Sequence, residues 1–385
     1  MSANPSAGPS ANPSAKPART AVGDLLPSPA PIRFVTEAGT AAEPPELPAG
    51  YAEPPDESLL DAYRRMVVGR RFDTQSTALA KQGRLAVYPS SRGQEACQVA
   101  GVLALGERDW LFPTYRDCVA LVARGLDPVE ALTLLRGDWH CGYDPMATRT
   151  APQCTPLATQ VPHATGMADA LRRKGEDAVV MAFVGDGGTS EGDFHEALNF
   201  AAVFRAPVVF FVQNNGYAIS VPLAKQTAAP ALAYKGIGYG VRSEQVDGND
   251  LVAVLSVLTA AVAHARAGQG PFLVEAHTYR MAPHTNSDDP SRYRDEAEVR
   301  RWSTADPLRR LETYLRGRGL LDDADVTAAR EEAEAFAADL RRRMDADADT
   351  EPDPLELFDH VYAEPTPQLL EQRDQLTAEL QTRNS

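Results

Sequence analysis

Between residues 160 and 278 the chain alternates two hydrophobic periods. Runs of strand length stand at 178–184, 207–213, 242–246 and 271–278, mostly Val, Phe, Leu and Ala. Stretches with apolar residues at helical spacing stand at 160–172, 194–204 and 251–267. Short strands separated by helices predict a parallel sheet covered on both faces. Upstream, Leu59, Leu60, Tyr63, Met66 and Val67 recur at helical spacing behind a candidate cap at Ser58. Helices are also expected at 94–105, 115–123 and 128–135, and a long loop at 137–156. A polar loop at 281–295 precedes helices near 307–316, 325–344 and 367–381. The pattern predicts an α/β fold, mostly parallel sheet under helices on both faces, with helical N- and C-terminal extensions. It divides into three: a tail at 1–50, a sheet domain with N-terminal helices at 51–300, and a helical extension and arm at 301–385.

The first fifty residues change this picture. They are rich in Pro, Ala and Ser, and Ala-Asn-Pro-Ser-Ala occurs twice, from Ala3 and from Ala11. Such a composition offers little apolar surface to offset ordering entropy, so the tail is expected to be disordered. The rest is ordinary globular protein, with 43% hydrophobic and 24% charged residues over 385 positions. A net charge of -15 argues against nucleic acid and anionic membranes as partners. No apolar stretch approaches the ~18 residues of a membrane span. Cys97, Cys118, Cys141 and Cys154 form no C-x-x-C pair and read as reduced thiols of a cytoplasmic protein.

Candidate chemistry gathers in VGDGGTSEGDFHEALNFAAVFRAPVVFFVQNN, residues 184–215. One strand run ends on Gly-Asp-Gly and the next on Asn-Asn, with one helix between them. In an open α/β sheet ligands bind at the carboxyl ends of strands. If the two strands are neighbours, Asp186 and Asn215 face one crevice. A carboxylate and an amide oxygen suit Mg²⁺ when phosphates supply its other ligands. Gly185, Gly187 and Gly188 let backbone approach a diphosphate. A dinucleotide fingerprint is excluded, since Ser190 stands where its third glycine belongs.

Gly-Asp-Gly, a spacer and Asn-Asn resemble the thiamine diphosphate motif. The wider strings GDGGTSEGDFHEALNFAAV and NNGYAIS are similar to alpha subunits of the decarboxylating component of 2-oxo acid dehydrogenase complexes. The likeness runs over about 58–381. It implies thiamine diphosphate and Mg²⁺ as cofactors, with Asp186, Asn215 and the carbonyl of Tyr217 on the metal. Gly187 and Gly188 match positions against the diphosphate, and PTYRD matches a Tyr-Arg pair, here Tyr115 and Arg116. CTPLATQ resembles a loop of the branched-chain enzymes that touches the diphosphate through Thr155. That loop holds K⁺ through Cys154, Pro156, Thr159 and Gln160, although Cys154 replaces a serine. YRMAPHTNSDDPSRYR resembles the mobile active-site loop, which makes Arg280 and His284 catalytic candidates and puts His284 beside the cofactor. Gln213 departs from the arginine expected there in animal branched-chain enzymes.

The resemblance also implies partners. Thiamine diphosphate needs a second domain to grip its aminopyrimidine, and only the diphosphate type of sheet is legible here. A separate beta subunit, in a heterotetramer of two alpha and two beta chains, would supply the other. Other implied partners are a 2-oxo acid and the lipoyl and subunit-binding domains of a transacylase core. The expected reaction is decarboxylation of the 2-oxo acid and reductive acylation of the lipoyl group. CTPLATQ, HTNSDDPSRYR and PQLLEQRDQLTAELQ favour branched-chain substrates such as 2-oxoisovalerate; pyruvate is the alternative.

Overall fold

The computed structural model describes residues 21–43, 50–347 and 353–383. Five parallel strands, β1 (Trp110–Phe112), β2 (Val180–Gly185), β3 (Val208–Asn214), β6 (Arg242–Asp247) and β7 (Phe272–His277), form the sheet in the order β1-β2-β3-β7-β6. A small hairpin, β4 (Tyr217–Ala218) and β5 (Val221–Pro222), follows β3. The helices are α1 (Val22–Leu25), α2 (Asp56–Lys81), α3 (Glu95–Leu103), α4 (Cys118–Ala123), α5 (Thr133–Arg136), α6 (Pro145–Thr148) and α7 (Gln160–Lys174). Then come α8 (Gly192–Phe204), α9 (Leu251–Arg266), α10 (Glu296–Thr304), α11 (Pro307–Gly317), α12 (Asp323–Asp347) and α13 (Pro367–Arg383).

Period-2 alternation splits each strand between two cores. Met181, Phe183, Val209 and Phe211 pack with Leu59, Met66, Val99 and Leu258 from α2, α3 and α9. Val180, Ala182, Val184, Phe210 and Val212 pack with Val161, Ala164, Phe194 and Leu198 from α7 and α8. Burying each large apolar side chain contributes about 1.5–3 kcal/mol, which fixes the register against slippage. That register pairs Gly185 with Gln213, so β2 and β3 end level with each other. α8 stops at Arg205, which turns left-handed at φ 53. α11 and α12 bury Leu311, Leu315, Leu340 and Met344 in the same core as α2 and α9. α13 lies against the turn Pro354–Phe358, with Arg373 paired to Asp359 at 3.1 Å.

Several expectations need correction. The stretch 21–43 is ordered, although the whole of 1–50 was expected to be disordered; 1–20 and 44–49 lie outside the described residues. Ile32 bridges Val246 at the edge strand β6, and both backbone N–H groups of Phe34 and Val35 donate to Asp250 at 2.7 Å. Leu25, Ile32 and Val35 are buried, so a few spaced apolar residues outweigh the Pro-rich composition. Asp250 also caps α9 by accepting from Ala253, and so ties two segments together. Ser58 is not the cap of α2: the helix starts at Asp56 behind Pro55. Three-residue β1 and the helix α10, inside a charged stretch, gave no legible period. The 128–135 stretch is a 3₁₀ turn, Glu130–Leu132, followed by the single-turn α5.

Candidate active site

A cavity of about 400 Å³ opens where β2 and β3 end. Asp186 and Asn215 both line it, with 2% and 6% of their surfaces exposed. Asp186 follows Gly185 at the end of β2, and its Oδ2 accepts from Gln226 Nε2 at 2.7 Å. Burial pushes its carboxyl above the usual range, against the pull of Gln226 and Arg280. Of the two asparagines at the end of β3, only Asn215 lines the cavity. Asn214 instead donates to Glu275 Oε1 at 2.7 Å, on the neighbouring strand β7. Tyr217 lines the cavity next to Asn215, whose Oδ1 accepts from its backbone N–H at 3.3 Å.

Gly187 and Gly188 are packed tightly from behind. A Cβ on Gly187 would stand 2.7 Å from the Ala218 Cβ, and one on Gly188 2.7 Å from Val184 Cγ2. A Cβ on Gly185 would meet no protein atom within 4 Å, so bare backbone faces the opening there.

The opposite wall carries charge. Tyr115, Arg116, Arg280 and His284 line it. Arg116 donates to the carbonyls of Ser90 and His284, each at 3.0 Å. Arg280 donates to the carbonyl of Ile219 at 2.7 Å and to the Tyr293 hydroxyl at 2.9 Å. Its Nε is buried without a partner among the described residues. Burial and the nearby Arg116 hold the Arg280 guanidinium below its usual range. His284 Nδ1 faces Arg116 at 3.0 Å and Arg280 at 3.4 Å. A guanidinium only donates, so Nδ1 must accept and the ring proton of neutral His284 sits on Nε2. Burial and the two guanidiniums hold its pKa down at about 4.

From the loop before α7 and the first residue of that helix, Cys154, Thr155, Pro156 and Gln160 line the cavity. Thr159 stands outside the lining, its hydroxyl 3.5 Å from Asp193 Oδ2. The Cys154 thiol donates to the Pro156 carbonyl at 3.0 Å. Gln160 donates to the Phe183 carbonyl at 2.7 Å, and its Oε1 is buried without a partner among the described residues.

The profile of the family described as "Dehydrogenase E1 component" matches residues 63–353. The chain belongs to that family. It is 49% identical over 326 residues to the 3-methyl-2-oxobutanoate dehydrogenase subunit alpha of Mycobacterium tuberculosis, covering 85% of this chain and 88% of that one. It is 38% identical over 329 residues to the pyruvate dehydrogenase E1 component subunit alpha of Staphylococcus aureus, again covering 85% and 88%. Thiamine diphosphate is the coenzyme the E1 family implies, and relatives named as alpha subunits imply a beta chain. Among the described residues no helix is long and apolar enough to cross a membrane.

The cavity of this E1 chain suits a metal–diphosphate group. Two guanidiniums bonded only to neutral acceptors line the same cavity as a buried carboxylate and the bare backbone of Gly185. Four partners were not singled out from the sequence: Gln94 and Gln226, which hold Asn215 and Asp186, and, within the YRMAPHTNSDDPSRYR loop, Asp288 and Tyr293, which hold His284 and Arg280. None carries a spacing signal. A glutamine opening an apolar helix, as at Gln94, was the one available hint.

Proposed function

We propose that this chain is the alpha subunit of a branched-chain 2-oxo acid dehydrogenase of the 2-oxoisovalerate type. The observation that carries this reading is the 49% identity to a 3-methyl-2-oxobutanoate dehydrogenase alpha chain, spanning the strand ends and loops that form the cavity. Val87, Pro89, Leu135 and Ile219 add apolar wall to the cavity, which supports a branched aliphatic substrate.

The residues present fit the group. Asp186, Asn215 Oδ1 and the Tyr217 carbonyl would hold Mg²⁺. Gly187, Gly188, Thr155, Tyr115, Arg116 and Arg280 would meet the diphosphate. Thiamine diphosphate, when bound, supplies the carbanion that takes up the 2-oxo acid and releases CO₂. Arg116 and Arg280 orient the anion by charge-assisted donors. His284, neutral and carrying its proton on Nε2, is poised to donate to oxygen that gains charge and to move a proton as the acyl group passes to a lipoyl domain. A weak K⁺ site would use Gln160 Oε1, the Pro156 carbonyl and the Thr159 hydroxyl; the Cys154 thiol brings no oxygen to it.

Among the described residues the only other sheet is the β4–β5 hairpin, so the aminopyrimidine side belongs to another chain. A beta subunit, in a two-alpha, two-beta assembly that docks on the transacylase core, completes the site. Four free thiols support a reducing, cytoplasmic compartment. The test mixes this chain with its beta subunit, Mg²⁺ and thiamine diphosphate. It compares 2-oxoisovalerate, 2-oxoisocaproate, 2-oxo-3-methylvalerate and pyruvate with an artificial electron acceptor. Turnover is expected only from the mixture, with branched acids ahead. Equal turnover by the lone chain sinks the split site, and preference for pyruvate sinks the substrate assignment.

A further inference from the structure

Behind the cavity a line of buried amides ends on a carboxylate. Asn215 Nδ2 donates to Gln94 Oε1 at 3.1 Å, and Gln94 Nε2 donates to Gln213 Oε1 at 3.1 Å. Gln213 Nε2 donates to Asp117 Oδ1 at 2.7 Å. The other oxygen of Asp117 accepts from the Thr114 backbone N–H and hydroxyl at 2.7 and 2.6 Å. All four relay side chains are more than nine-tenths buried.

A primary amide donates at one end and accepts at the other, and its shape does not say which way round it sits. A carboxylate only accepts. Burial raises the Asp117 carboxyl above its usual range, the Thr114 N–H and hydroxyl on Oδ2 pull against it, and as a carboxylate Asp117 draws the amino end of Gln213 to its Oδ1. The Gln213 oxygen then faces Gln94, the Gln94 oxygen faces Asn215, and Asn215 spends its amino group on the relay. Its carbonyl oxygen is left for other partners. The Tyr217 N–H, at 3.3 Å from that oxygen, agrees with this orientation.

We propose that Asp117 is a positioning residue that sets the polarity of the Asn215–Gln94–Gln213 relay and so makes Asn215 an oxygen donor toward a divalent cation. The inference rests on the reading of Asn215 as a metal ligand. It is tied to Gln213, because an arginine there has five donors and no acceptor and could not relay the polarity. Asp117→Asn reverses the anchor. Thr114 N–H keeps the oxygen of the new amide, so its amino group meets the amino end of Gln213, and one link must fail.

The test is Mg²⁺ affinity, by calorimetry on the assembled heterotetramer with thiamine diphosphate present. Asp117→Asn is expected to weaken Mg²⁺ binding about 10–100-fold, as for outer partners of metal ligands. Asn215→Asp alone places carboxylates at both ends, so an acceptor faces an acceptor. In the double variant the new carboxylate at 215 anchors the relay from its other end and every donor meets an acceptor again. Both Mg²⁺ affinity and the melting temperature are expected to recover to near wild type. A merely structural Asp117 gives no such rescue. Wild-type Mg²⁺ affinity in Asp117→Asn, or losses that simply add in the double variant, overturns the inference. If Asp117→Asn does not fold, Gln213→Met cuts the same relay and is expected to show the same loss; wild-type affinity there overturns it equally. A wild-type assembly that binds thiamine diphosphate but no Mg²⁺ overturns the metal reading itself, and this inference with it.

Discussion

The two walls of the cavity are held by different means. On the strand-end wall, register brings Asp186 and Asn215 together, and neutral amides from Gln226 and Gln94 hold them. On the loop wall, Arg116 and Arg280 donate to backbone carbonyls of Ser90 and Ile219. Arg116 and Arg280 form no ion pair among the described residues, and His284 rests between them. The first wall is nearly satisfied before any ligand arrives. The second holds positive charge that carbonyl dipoles only partly answer. Ligand binding should therefore leave the strand ends in place and tighten the loop. Replacing Asp186 on the first wall should cost affinity without order, and changes to the second wall should cost both.

The largest effect is expected from Asp186→Asn. Affinity for Mg²⁺ with thiamine diphosphate should fall by more than the roughly 10–100-fold that losing an outer partner costs. The free chain should melt no earlier, because a buried carboxylate held above its usual range is replaced by a neutral isostere. Calorimetry and a melting scan check both halves; a large drop in melting temperature would mean that this wall is structural. Arg280→Gln comes next. Charge-assisted bonds contribute about 1.5–3 kcal/mol, which corresponds to roughly 10–150-fold weaker cofactor binding. Here the 280–294 loop should also become more open to proteolysis in the free chain. A loop as resistant as wild type would erase the contrast between the walls.

The two walls were not equally legible in the sequence. β2, α8 and β3 announce themselves by period, and the residues that end each strand fall at the sheet's carboxyl edge. Asp186 and Asn215 could therefore be placed from spacing and topology. Arg280 and His284 have no period around them, and only the family likeness singled them out. The roles of Gln94, Gln226 and Asp117, the last residue of PTYRD, were illegible for a further reason: they depend on contacts across 40 to 121 positions of chain. The ordered stretch 21–43 was missed because its anchors, Ile32 and Asp250, lie on segments that meet only in the fold.

Protonation probes the loop wall more gently. His284 sits at about 4, below its ordinary value of 6.5, so the fold favours the neutral ring. That preference adds stability above pH 6.5 and is lost as pH falls from 6.5 through about 4. In NMR titrations of the free chain the His284 ring should change near pH 4. With Mg²⁺ and thiamine diphosphate it should change at higher pH, since the diphosphate answers the guanidiniums. Arg116→Gln should raise it in the free chain too. His264, also held at about 4 but by burial and Arg242, serves as the control that should not respond. An ordinary His284 titration in the free chain would show that the two arginines do not govern it.

The smallest effect is expected where the loop before α7 meets the strand-end wall. Gln160 Oε1 is buried and unpartnered, while the Cys154 thiol spends itself on the Pro156 carbonyl. A thiol is a poor ligand for a hard monovalent cation and it competes for one of the oxygens K⁺ would use. Exchanging Na⁺ for K⁺ should therefore move the melting temperature of the wild-type assembly little. Cys154→Ser offers a hydroxyl oxygen at the same place, and K⁺ should then raise the melting temperature by roughly 1–3 °C. Equal responses of the two proteins to K⁺ would mean that the sulfur does not limit this site, and that the unpartnered Gln160 oxygen has a use other than a cation.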